Sequence, residues 1–91
     1  MIIVRIPAAL RGFAEGAHEL QVAPGGTVAD VLAELRTRHP QLLPRLVAPD
    51  GSLRPFVNVY LDRADIRSLQ GLATRVPAGA VVSILPAVAG G

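Results

Sequence analysis

Ninety-one residues suffice for one small domain, and with aromatics limited to Phe13, Phe56 and Tyr60 the core must be built from Val, Leu, Ile and Ala. The absence of cysteine excludes disulfides, thiolate metal sites and a thiol nucleophile. The nine basic residues are all arginine, dispersed among seven carboxylates to a net charge of +2, without the concentrated stripe that a nucleic-acid surface needs.

His18 and His39 have no helical or hairpin spacing that would pair them as metal ligands, so metal binding is not expected of this chain. No apolar run approaches the ~20 residues that span a bilayer. The opening Met1-Ile2-Ile3-Val4-Arg5 lacks a basic leader, and a soluble cytoplasmic protein is expected. Without lysine, there is no side-chain amine through which copies could be linked to one another.

Met1 to Pro7 alternates as a strand, with Ile2, Val4 and Ile6 on one face, and Pro7 ends its ladder. Residues 8–17, with Gly12 and Gly16, read as a long turn. His18 to Val22 alternates polar and apolar, which predicts a second strand and an antiparallel hairpin. Pro24-Gly25-Gly26 is the clearest break. Thr27 is a good N-cap, although Asp30 makes a weak capping box because Glu or Gln is preferred there. Val28, Val31, Leu32 and Leu35 then form one apolar helical stripe, Arg36 and Arg38 complement the helix dipole, and Pro40 stops the helix at His39.

Gln41 to Leu46 predicts one short helical turn, and Pro49-Asp50-Gly51-Ser52 a loop. Phe56 to Leu61 has the β-branched and aromatic character of a strand. Residues 62–65 turn the chain, residues 66–72 are short and irregular, 76–79 form a turn, and Val81-Val82-Ser83-Ile84-Leu85 is the last strand. One helix with about four strands implies a two-layer α+β domain, its helix stripe buried on one face of a single sheet. The order is that of a ubiquitin-like β-grasp fold with a mixed sheet. Parallel pairing of the first and last strands would place the tail's exit inside the sheet. The expected division is a β-grasp domain over 1–87 and a flexible C-terminal tail over 88–91, with no internal repeat or linker.

That tail, Val88-Ala89-Gly90-Gly91, ends in a diglycine. Glycine lacks a Cβ, so the last residues can pass a narrow channel and the Gly91 carbonyl is unshielded on both faces. Such a carboxylate suits activation by another enzyme as an acyl adenylate, followed by nucleophilic attack. On the last strand, alternation sends Val82 and Ile84 to one face and Ser83 and Leu85 to the other. If Val82 and Ile84 pack on the helix, Leu85 becomes an exposed docking contact beside the tail. Leu61 is a second candidate contact, its facing left open by Asn58 and Tyr60 on the same strand.

The stretch Phe56-Val57-Asn58-Val59-Tyr60, together with Val82 through Gly91, resembles the prokaryotic ubiquitin-like sulfur carriers, the group of the thiamine sulfur carrier and the small subunit of molybdopterin synthase. Ile-Pro-Ala-Ala-Leu-Arg at 6–11, Gly71-Leu72-Ala73-Thr74 and Leu85-Pro86-Ala87-Val88-Ala89-Gly90-Gly91 bring it nearest to the carriers of thiocarboxylate-dependent cysteine biosynthesis. The resemblance implies a carrier that binds no cofactor itself and catalyses nothing. A ubiquitin-activator-like adenylating enzyme would use Mg-ATP on Gly91, and a sulfur donor would convert the adenylate to a thiocarboxylate. A pyridoxal-phosphate cysteine synthase would present an aminoacrylate made from O-phosphoserine, and a zinc peptidase would release cysteine. Sulfur carriage for molybdopterin or a secondary metabolite is the alternative within the family. A ubiquitin-like protein modifier, or a binding adaptor indifferent to its tail, is the alternative of another class.

Overall fold

Ile2, Val4 and Ile6 point to one side of the chain and are buried, the outcome that alternation predicts for a half-buried strand. The computed structural model describes residues 1–86, and these three side chains belong to β1 (Ile2–Arg5) and the residue just beyond it. β1 pairs antiparallel with β2 (Glu19–Val22), setting Ile2 opposite Val22 and Arg5 opposite Glu19. The connection between them is more ordered than a plain turn. Residues Ala8–Ala14 form a 3-10 helix, because Ala14 is buried and Leu10 and Phe13 lie against the core. Glu15, at φ 55°, then turns the chain out of it.

The short β3 (Gly26–Thr27) leads into α1 (Val28–Arg38), whose start is fixed by reciprocal capping. The Thr27 amide donates to Asp30 Oδ2 at 2.9 Å, and the Asp30 amide donates to Thr27 Oγ1 at 3.3 Å. The aspartate therefore completes a box that the sequence rated as weak, and the short side chain needs room to do so. A Cβ added at Gly26 would lie 2.8 Å from the Asp30 Cβ, so glycine is required there by close approach. Val28, Val31, Leu32 and Leu35 are all buried, as the helical stripe predicts. The helix stops at His39, whose amide donates to the Leu35 carbonyl, one residue before Pro40.

A second helix of one turn, α2 (Leu43–Leu46), closes the end of the core with Leu43 and Leu46. β4 (Val57–Leu61) follows, and a two-residue turn joins it to β5 (Ala64–Asp65) where the sequence predicts only a turn. Two 3-10 turns, Ile66–Ser68 and Gly71–Ala73, occupy the stretch expected to be irregular. β6 (Arg75–Val76) pairs with β3 as a small second sheet, which local patterning gives no means of finding. β7 (Val81–Pro86) completes the main sheet, in the order β2-β1-β7-β4-β5. It runs parallel to β1 and antiparallel to β4, so the sheet is mixed.

Val82 and Ile84 of β7, Val57 and Val59 of β4 and the β1 residues meet the stripe of α1 in one aliphatic core. Full burial of each such side chain contributes roughly 1.5–3 kcal/mol before its entropy cost is counted. The Gly71-Leu72-Ala73-Thr74 stretch acts inside this frame. Thr74 is buried, its Oγ1 accepts from the Gln70 amide at 3.0 Å, and its carbonyl accepts from the Val28 amide at 2.9 Å. It satisfies one of the otherwise unpaired first amides of α1.

Candidate functional site

β7 lies between two strands, and it carries the chain to the edge of the described residues at Pro86. Val88, Ala89, Gly90 and Gly91 lie outside the described residues. What the structure defines is the platform from which they leave. That platform is an interior strand rather than a sheet edge, as parallel pairing of the first and last strands requires.

Proline is tolerated at the end of this strand for a reason visible in the ladder. The Asp62 amide donates to the Val81 carbonyl at 2.8 Å, making 62 and 81 a hydrogen-bonded pair. Antiparallel pairs alternate, so Val57 and Pro86 fall on a non-hydrogen-bonded pair and the missing proline N–H costs no bond to β4. The Val57 carbonyl accordingly points away from β7, where Arg67 Nη2 donates to it at 2.8 Å. Arg67 Nη1 donates to Asn58 Oδ1, and the Arg67 amide donates to Asp65 Oδ1 at 2.9 Å. One guanidinium thus fastens the two β4 residues that face Leu85 and Pro86.

The other end of β7 is pinned by Asp62. This residue adopts φ 53°, and its Oδ1 accepts from the Val81 amide at 3.0 Å. Its backbone and side chain both bond to Val81, which fixes where the strand begins.

Alternation along β7 is as expected. Val82 and Ile84 are buried, and Leu85, opposite Asn58, is 45% exposed on the outer face. Leu61, the other candidate contact, is placed differently: it is half-buried, on the inward side with Val57 and Val59, and packs against the core. The structure therefore does not bring Leu61 and Leu85 onto one surface. The outer face around Leu85 is mixed, with Ser83 flanked by Arg5 and Tyr60, and Arg5 paired to Glu19 at 3.6 Å. Phe56, included in the strand by its sequence, precedes β4 and is 66% exposed. The sequence places it in the strand because its aromatic character continues the β-branched run that starts at Val57.

Among the described residues, no group of three or more His, Cys, Asp and Glu side chains could hold a metal ion. No helix among them is long and apolar enough to cross a membrane.

Comparison with known proteins agrees with this architecture. The ThiS family model matches residues 4–91. The sulfur carrier protein CysO of Mycobacterium tuberculosis is 39% identical over 92 residues, spanning 99% of this chain and 98% of its own. The crystal structure of the Amycolatopsis orientalis BexX/CysO complex superposes with a TM-score of 0.90 at 37% identity, with 100% of each chain covered. The crystal structure of M. tuberculosis CysO gives a TM-score of 0.89 at 36% identity, covering 97% of this chain and 100% of that one. The fold is the β-grasp expected from the element order.

Proposed function

Because the chain belongs to the ThiS family of small sulfur carriers, we propose that it carries sulfur as a thiocarboxylate on Gly91 and delivers it for cysteine synthesis. The carrying observation is the agreement of two independent facts. The family match runs through residue 91, and the strand leading there is locked into the middle of the sheet. A domain built this way is a rigid holder for a reactive end. With no cysteine in the sequence, no side chain competes for the role.

The chemistry proceeds in balanced steps. The Gly91 carboxylate attacks the α-phosphorus of Mg-ATP on a ubiquitin-activator-like enzyme, releasing pyrophosphate and leaving an acyl adenylate. Hydrosulfide, released by a sulfur donor, attacks that carbonyl and expels AMP, which yields the thiocarboxylate. A pyridoxal-phosphate synthase would remove the α-proton and phosphate from O-phosphoserine and so present an aminoacrylate acceptor. The thiocarboxylate sulfur adds to its β-carbon, the resulting thioester rearranges to an amide, and a zinc peptidase hydrolyses the amide to free cysteine. Gly90, Ala89 and Val88 form the slim arm that enters these partners. Leu85 is the docking contact beside it, whereas Leu61 supports the sheet from beneath. The 39% identity to M. tuberculosis CysO supports the cysteine branch.

The test is intact-mass spectrometry after incubation with the activating enzyme, Mg-ATP and sulfide. Exchange of one oxygen for sulfur makes the chain about 16 Da heavier. An unchanged mass, or an equal gain in a chain lacking Gly90 and Gly91, overturns the reading.

A further inference from the structure

A groove lies between the Ala8–Ala14 helix, α2 and the segment entering β4, lined by Phe13, Gln41, Pro44, Arg45, Arg54 and Phe56. Its wall also includes Val57, the ladder partner of Pro86, so it opens beside the point where the described chain ends. Among the described residues no carboxylate lines it. Its two cations are held in place by different means. The Arg45 guanidinium lies 4.3 Å from the centre of the Phe13 ring, a stacking distance for a cation over an aromatic face. Arg54 Nε donates to the Pro44 carbonyl at 2.7 Å, which restrains its guanidinium in the groove wall. Among the described residues neither arginine makes an ion pair, although Arg5, Arg38 and Arg67 all do. Phe56, 66% exposed, supplies an apolar edge between them and the strand end.

Two restrained cations with exposed aromatic surface, and no counter-charge among the described residues of the groove, form half of a complementary contact. Arginine and aromatic side chains are also the residue types on which binding energy concentrates at interfaces. We propose that this groove receives a carboxylate-bearing segment of the adenylating enzyme, and that it selects this chain for activation. The proposal rests on the carrier reading and adds the surface through which the first partner recognises the body. Activation is the step that most needs such a surface. Before it, the tail presents an ordinary carboxylate that many chains could offer, so discrimination must come from the folded domain. The groove and Leu85 then grip opposite faces of the same strand end. Val57 faces inward and Asn58, opposite Leu85, faces outward.

The test compares wild type, Arg45→Glu/Arg54→Glu, Phe56→Ser and Arg63→Glu with the adenylating enzyme of the source organism. Thiocarboxylate formation is followed by intact mass over a range of carrier concentrations. Arg63 is exposed at the far end of β4 and serves as the control. The double reversal should raise KM by at least about tenfold with kcat retained, and weaken its dependence on salt. Phe56→Ser should raise KM without lowering the unfolding midpoint, which separates docking from folding. Arg63→Glu should match wild type. Equal KM values for wild type and the double reversal would overturn the groove's role while leaving the carrier intact. A wild-type chain that gains no sulfur at any concentration would overturn the carrier reading, and the groove proposal with it.

Discussion

Three side chains do work that their types alone understate. Asp30 is fully exposed, yet its carboxyl is held below the usual aspartate value, first by the backbone N–H of Thr27, then by the Thr27 hydroxyl, with a smaller contribution from Arg75. A depressed folded value means that the unfolded chain binds the proton more readily. The cap's contribution is therefore complete above the unfolded aspartate value, near ~3.9, and is lost as pH falls through the folded one. Asp30→Asn should be less stable than wild type at pH 7, and the gap should close as urea titrations are moved below about pH 4. Thr27→Ala should cost about 1 kcal/mol by the same method, because it removes the oxygen that accepts the Asp30 amide. Arg67→Ala should cost roughly 1–2 kcal/mol, and Arg67→Lys should recover little, because one ammonium cannot span both the Val57 carbonyl and Asn58 Oδ1. None of these pairings could be read from the sequence beyond the Thr27–Asp30 spacing. Arg67 and Asn58 meet only because β5 and the turn after it fold back along β4.

At the level of elements, legibility followed periodicity. β1 and α1 were readable because their apolar residues recur at the strand and helical periods, and burial of Ile2, Val4, Val28, Val31, Leu32 and Leu35 reflects that directly. β7 was readable to its facing: Val82 and Ile84 inward, Leu85 outward. The Ala8–Ala14 helix carries Gly12 and no clear period, so its fixation by Ala14 and Phe13 emerges only from tertiary packing. β3 and β6 have two residues each and pair across 50 positions for Gly26 with Val76 and 48 for Thr27 with Arg75, a separation that no local pattern marks. Ile84, fully enclosed in β7, sets the scale of the core: Ile84→Ala should destabilise by about 3 kcal/mol in chemical denaturation. Leu85→Ser, one residue on and facing outward, should change stability by less than about 0.5 kcal/mol. A rise in KM for activation without that stability loss would mark Leu85 as a contact.

For the molecule as a whole, the distinctive arrangement is that the last strand sits inside the sheet, between the first strand and β4. Without β7 the main sheet is two separate pairs, β2 with β1 and β4 with β5. Among the described residues the buried apolar ones all precede residue 85, and shortening the chain by Gly90 and Gly91 should leave the unfolding free energy within about 0.5 kcal/mol. Sulfur loading by intact mass should vanish in the same variant. The expectation for the tail rests on residue type and position rather than on a fold, and its residues lie outside the described ones. The arginine groove was the least legible, since Phe13, Arg45 and Arg54 come from three separate segments and meet only in space.

The central position of β7 also has a mechanical consequence. Tension applied beyond Pro86 is directed along β7, so it loads two hydrogen-bonded ladders in shear instead of peeling one strand from an edge. On the carrier reading proposed above, a partner pulling on the chain beyond Pro86 would meet both ladders at once, and the globule would keep its shape.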